Sequence, residues 1–203
     1  MSGFVVALAG LTGLIHIGSL GPWPGIALMT LYSLSDAVDG NMARATGTVT
    51  YFGKMLDGVL GLLAEGLFFP ALGIGLHLAG TGTGLFLGRP WLHTLLGAAA
   101  LTFMLYSSIV EGSFDRYAAE KERSRGAGSL PPDSTIGTSR YRNSLFYLLY
   151  LNLQSFNVQL VALAILAVCG RMELFLPAAC GFYAVKTILV AAYYLRRAAA
   201  ELS

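Results

Sequence analysis

Six apolar stretches, at residues 3–20, 23–42, 53–78, 91–111, 144–169 and 174–195, occupy most of this 203-residue chain and dictate the solvent it folds in. A helix needs about 20 apolar residues to cross the hydrocarbon of a bilayer, and each stretch comes close to that length or passes it. Little is left for a soluble domain. The expected fold is therefore all-α: one integral membrane domain over residues 1–203, with six transmembrane helices. The composition agrees, at 55% hydrophobic and 12% charged residues with a mean hydropathy of +0.65, well away from soluble averages. A net charge of +2 gives no reason to expect a nucleic-acid partner. What matters is where the cations sit. Arg44, Lys54, Arg116, Lys121, Arg123, Arg125, Arg140, Arg142, Arg196 and Arg197 fall on one side of the six segments, and Arg89 and Arg171 on the other. The positive-inside rule makes the first side cytoplasmic, so both termini are expected in the cytoplasm and the chain in the cell (inner) membrane.

The stretch from Ser35 to Gly66 carries ionisable groups where apolar segments exclude them. Asp36 and Asp39 are three apart and share a helix face, which Gly40 and Ala43 continue without bulk and Arg44 ends. After a short polar turn, Gly53 and Asp57 open the next apolar helix, which can bring a third carboxylate beside the first two. Converging carboxylates repel one another unless a cation sits among them. Oxygen-only ligands suit Mg²⁺ or Mn²⁺, and Mg²⁺ commonly takes its remaining ligands from water and substrate phosphates. The bare backbone at Gly40 and Gly53 would let such a substrate approach closely.

These residues resemble the pattern of the CDP-alcohol phosphotransferase family, DxxDGxxAR, eight residues, then GxxxDxxxD. Asp36, Asp39, Gly40, Ala43, Arg44, Gly53 and Asp57 stand in register with it, and Gly61 stands where the pattern has its last aspartate. The resemblance implies a six-helix bundle, a homodimer, and transfer of a substituted phosphoryl group, here phosphatidyl, from a CDP-linked alcohol such as CDP-diacylglycerol to an acceptor, with release of CMP, in phospholipid biosynthesis. It also implies roles. Asp36, Asp39 and Asp57 would bind Mg²⁺ (or Mn²⁺) at the cytoplasmic face; Asp36, Gly40, Ala43, Arg44 and Gly53 would hold the nucleotide, with Arg44 on its phosphates.

The family's last aspartate is assigned as metal ligand and as general base toward the acceptor hydroxyl, and Gly61 can be neither. General-base help is commonly worth about 10² to 10⁴ in rate. One route keeps an active transferase, with Asp57 and Glu65 as candidate catalytic acids. In another the acceptor is already anionic, with Arg140, Arg142 and the deeper Lys186 as candidate acceptor-binding residues. A third makes the chain a catalytically silent relative that binds nucleotide or lipid. A small-solute transporter fits less well, because the acids lie at helix ends and no inverted repeat is visible.

Elsewhere the sequence reads more plainly. Glu65 lies about 12 Å beyond Asp57 and Lys186 about 15 Å before Arg196 at helical rise, so the two are expected to meet inside the bundle. The alternatives are a neutral, hydrogen-bonded Glu65 and a snorkelling Lys186. His16 reads as a hydrogen-bonded packing residue and Gly21 to Pro24 as an external turn with an interfacial Trp23. The run GTGTG from Gly80 follows no strand and precedes no Lys-Ser/Thr, so it is a loop and not a phosphate cradle. Residues 113–143 form a cytoplasmic loop that opens with a helical extension and continues as a flexible linker. Asn152, Gln154, Asn157 and Gln159 should face the interior and line a wet cavity. Cys169 and Cys180 have no metal-binding spacing and are expected to be free.

Overall fold

The computed structural model describes residues 2–47, 50–80, 88–124 and 153–201. Every regular element among them is helical: α1 (Ser2–Ile15), α2 (Ile17–Leu20), α3 (Trp23–Ala45), α4 (Tyr51–Leu78), α5 (Trp91–Ser124), α6 (Phe156–Val168), a 3₁₀ turn at Met172–Leu174, and α7 (Phe175–Glu201). The first apolar stretch is thus two helices and not one. It breaks at His16, which is exposed and so not the packing residue expected, though its ring Nδ1 bonds the Thr12 carbonyl at 2.9 Å. Gly21 then ends α2 at φ +72°, a left-handed conformation that suits glycine. The helical extension past Glu111 is present, with α5 unbroken to Ser124.

Among the described residues three helical stretches, Tyr51–Leu78, Trp91–Phe114 and Met172–Ala199, are long and apolar enough to cross a membrane. Gly3–Ile15 and Phe156–Val168 are apolar but shorter. α3 has the length, at 23 residues, but Asp36, Asp39, Asn41 and Arg44 dilute the apolar character of its second half. The expected all-α fold with apolar helices is met, with three helices of full spanning length among the described residues where six were expected. Large apolar side chains such as Leu31, Val59, Ile109, Val161 and Ile188 are exposed, as suits a chain surrounded by lipid.

α4 is the centre of the bundle. It packs on α1 and α5, α1 packs on α3, and α5 on α7. Ala64, Phe68, Phe69, Leu72 and Leu76 form its buried face. Phe68 meets Phe156 of α6 and Phe175 of α7 edge-on, at 5.3 and 5.8 Å between ring centres, and so ties three helices together. Small residues set the close approaches. A Cβ on Gly97 would stand 2.5 Å from the Phe69 carbonyl oxygen, and one on Gly75 would collide with that of Leu14. Lys186 of α7 is buried, and its Nζ lies 3.9 Å from Glu111 Oε1 on α5. This corrects the expected Glu65–Lys186 pair: the face of α7 that carries Lys186 is the one packed on α5, where Glu111 is within reach.

Candidate functional site

Two turns of backbone chemistry bring the acids together. α3 stops at Thr46, Gly47 reverses the chain at φ +65°, and the Thr50 side chain caps α4 by accepting a bond from the Gly53 amide at 3.0 Å. A Cβ on Gly53 would lie 2.9 Å from that hydroxyl, so this glycine serves the cap as well as the open floor expected of it. Asp36 on α3 and Asp57 on α4 stand side by side, with Asp39 as their charged neighbour. All three line a cleft of about 50 Å³, closed by Tyr32, Leu60, Gly61 and the start of α1.

Asp36 also stands on the wall of a second, larger cleft of about 390 Å³. Glu65 of α4, Ser33 of α3, and Gln154 and Asn157 ahead of and in α6 line it too. The Ser33 hydroxyl donates to Asn157 Oδ1, which joins α3 to α6 at the rim. The polar face expected of the fifth apolar stretch therefore has two of its members on a cavity. A third, Gln159, is buried and donates to the Tyr183 hydroxyl at 2.7 Å, and Asn152 lies outside the described residues.

Gly40 is half-buried with the Arg44 guanidinium folded over it: a Cβ there would meet Arg44 Nη2 at 3.7 Å. The same nitrogen donates to Asn41 Oδ1 at 2.9 Å, while Ala43 is partly covered. Arg44 is exposed, on the same helix as Asp36 and Asp39. Lys186 lines neither of these two clefts. Arg140 and Arg142 lie outside the described residues. Cys169 and Cys180 are free.

The donor set fits a hard divalent cation. Two carboxylates from different helices stand side by side and a third faces the same space, so a cation between them would remove a repulsion that must otherwise be met by a proton. As the side chains stand, the described residues form no ready group of three ligands; the acids would still have to turn inward. Tyr32 is the residue that sequence reasoning missed. It lies one turn before Asp36 on the same helix face, a spacing that would have found it, and its hydroxyl reaches to 3.9 Å from where a Cβ on Gly61 would stand.

Comparison with known proteins adds a family. The model of the CDP-alcohol phosphatidyltransferases matches residues 3–169. A phosphatidylinositol phosphate synthase of Cutibacterium acnes is 35% identical over 98 residues, 48% of this chain and 44% of that protein. Proteins of the same name from Mycolicibacterium smegmatis and Streptomyces avermitilis are 36% identical over 72 residues and 40% over 83. These matches cover 36% and 38% of this chain, and 32% and 33% of those relatives. The aligned stretches thus span less than half the length of each relative. No solved structure matches the chain significantly.

Proposed function

Since the chain belongs to the CDP-alcohol phosphatidyltransferase family, we propose that it is a membrane transferase of phospholipid biosynthesis that moves a phosphatidyl group from CDP-diacylglycerol to an acceptor hydroxyl and releases CMP. The observation that carries this reading is the placement of Asp36, Asp39 and Asp57 together on one cleft between α3 and α4. Mg²⁺ or Mn²⁺ held by Asp36, Asp39 and Asp57 would supply charge neutralisation at the diphosphate. Gly40, Ala43 and Gly53 form the floor on which the nucleotide lies, and Arg44 turns its guanidinium to the phosphates. The site faces the cytoplasm, on the side favoured by the distribution of Lys and Arg, and the exposed apolar faces are shared between lipid and a second copy of the chain.

The larger cleft takes the body of the acceptor, with the reacting hydroxyl at Asp36, which lines both clefts. Three relatives are named phosphatidylinositol phosphate synthases, so an inositol phosphate is the first acceptor to try. Its phosphate would be held by Arg140 and Arg142, since arginine suits bidentate phosphate contact. The acceptor oxygen forms the new bond to the phosphatidyl phosphorus as the bond to CMP breaks. Glu65, on the same wall as Asp36, receives the proton that the acceptor hydroxyl gives up.

The empty side chain at Gly61 favours a second reading, a relative that binds CDP-linked lipid without turning it over. Purified protein supplied with CDP-diacylglycerol and inositol phosphate, with and without Mg²⁺, separates the two. Metal-dependent CMP release supports the transferase, and metal-dependent nucleotide binding with no CMP from any acceptor supports the silent relative.

A further inference from the structure

We propose that the Tyr32 hydroxyl, which faces the side-chain space left open by Gly61, orients the acceptor hydroxyl in this chain. The proposal rests on the transferase reading and adds a residue to it. Tyr32 belongs to α3, one turn before Asp36, and is only 5% exposed. Its ring stands edge-on to Phe156, with centres 6.5 Å apart, and Gly3 of α1 closes over its other side, 3.8 Å from where a Cβ would be. The phenol is therefore fixed in direction.

That direction is toward position 61. Of the described residues beyond its chain neighbours and its own helix backbone, only Tyr32, through its Oη, comes within 4 Å of a Cβ placed on Gly61. The same hydroxyl looks onto the small cleft that holds Asp36, Asp39 and Asp57, and it feels the charges of Asp36, Glu65 and Asp57. A phenol both donates and accepts. Donating a hydrogen bond to the oxygen of an acceptor lying over Gly61 leaves the acceptor's own O–H free to face Glu65. The acceptor oxygen then turns its own lone pair toward phosphorus. Tyr32 keeps its proton throughout: the O–P bond forms, the bond to CMP breaks, and the acceptor proton goes to Glu65. A carboxylate grown from position 61 would enter the same space, so the tyrosine hydroxyl and an aspartate there compete for one place.

Tyr32→Phe, Gly61→Asp and the double variant test this with CDP-diacylglycerol and inositol phosphate. Tyr32→Phe keeps the ring and its contact with Phe156, so the fold and melting temperature should hold. Loss of one hydrogen bond to the reacting group should lower kcat/KM for inositol phosphate by about tenfold or more. The KM for CDP-diacylglycerol, and Mn²⁺ affinity measured by spin resonance without substrate, should stay within about twofold, as expected of an acceptor-only contact. Gly61→Asp alone should also lose activity, and the double variant should exceed both singles. The inference is overturned by three results: a Tyr32→Phe protein with unchanged acceptor kinetics, a parallel loss of donor and Mn²⁺ binding, or a double variant no better than its parents. Wild-type protein that releases no CMP with inositol phosphate or glycerol phosphate overturns the transferase reading itself, and the role of Tyr32 with it.

Discussion

Asp36 and Asp57, 21 residues apart in sequence and on different helices, stand side by side on one cleft. Two acids do not share such a place in folded proteins without a proton or a cation between them. Gly47 and the Thr50 cap set where α3 ends and α4 begins, and so the level at which the two acids face one another.

Asp57→Asn should abolish the cation response while leaving the fold intact. In cation-free protein the amide can donate to Asp36, which relieves the repulsion, so the variant should melt no lower than wild type. Added Mn²⁺ should raise the melting temperature of wild type, by about 2.7 kcal/mol of stability at a hundred times Kd, and leave the variant unmoved. CMP release should fall by at least about 10²-fold, the scale expected when an electrostatic contact to a transferring phosphoryl group is lost. Melting curves and a CMP assay check all three.

The pair of Lys186 and Glu111 makes a different prediction. Lys186 is buried, whereas the Glu111 side chain is 31% exposed. Taking away the acid leaves a buried ammonium with less compensation, so Glu111→Gln should destabilise by about 2–3 kcal/mol, below the 3–5 typical of fully buried pairs. Replacing both, with Lys186→Met, should recover most of that loss, because an apolar side chain of similar length fits the α5–α7 interface. Chemical denaturation in detergent micelles measures the order of the three proteins.

Much of this arrangement was legible in the sequence, and the parts that were not have physical reasons. The starts of helices such as α3 at Trp23 and α5 at Trp91 followed from the apolar runs, and the meeting of Asp36, Asp39 and Asp57 followed from helical spacing and a short connection. The partner of Lys186 did not follow. Matching Glu65 to Lys186 by depth along the helix gives the level of a residue and says nothing of which way it faces. α4 and α7 each present several faces, and packing of α7 on α5 decides in favour of Glu111. The break at His16 was hidden because the apolar run continues through it. Tyr32 escaped notice because a tyrosine in an apolar segment is usually core, and only the empty place at Gly61 gives its hydroxyl a task.

Two glycines of α4 should respond in opposite directions to the same change. A methyl on Gly75 would collide with the Leu14 carbonyl, whereas one on Gly58 meets nothing within 4 Å. Gly75→Ala should cost about 1–3 kcal/mol by forcing α1 and α4 apart. Gly58→Ala, on an exposed helical position, should add about 0.4–1 kcal/mol by stiffening the unfolded chain. Thermal melts of the two variants side by side check the sign of each.

The most direct measurement is the position of a bound ion. Crystals of the purified protein soaked with Mn²⁺ and a cytidine nucleotide, examined by anomalous scattering, should show manganese between α3 and α4, bound to Asp36 and Asp57 at close to the 2.0–2.1 Å usual for small hard cations, to within about 0.2 Å. The nucleotide phosphates should complete its shell, with Arg44 beside them. Manganese elsewhere, or Asp36 and Asp57 turned apart with no ion between them, would contradict the account.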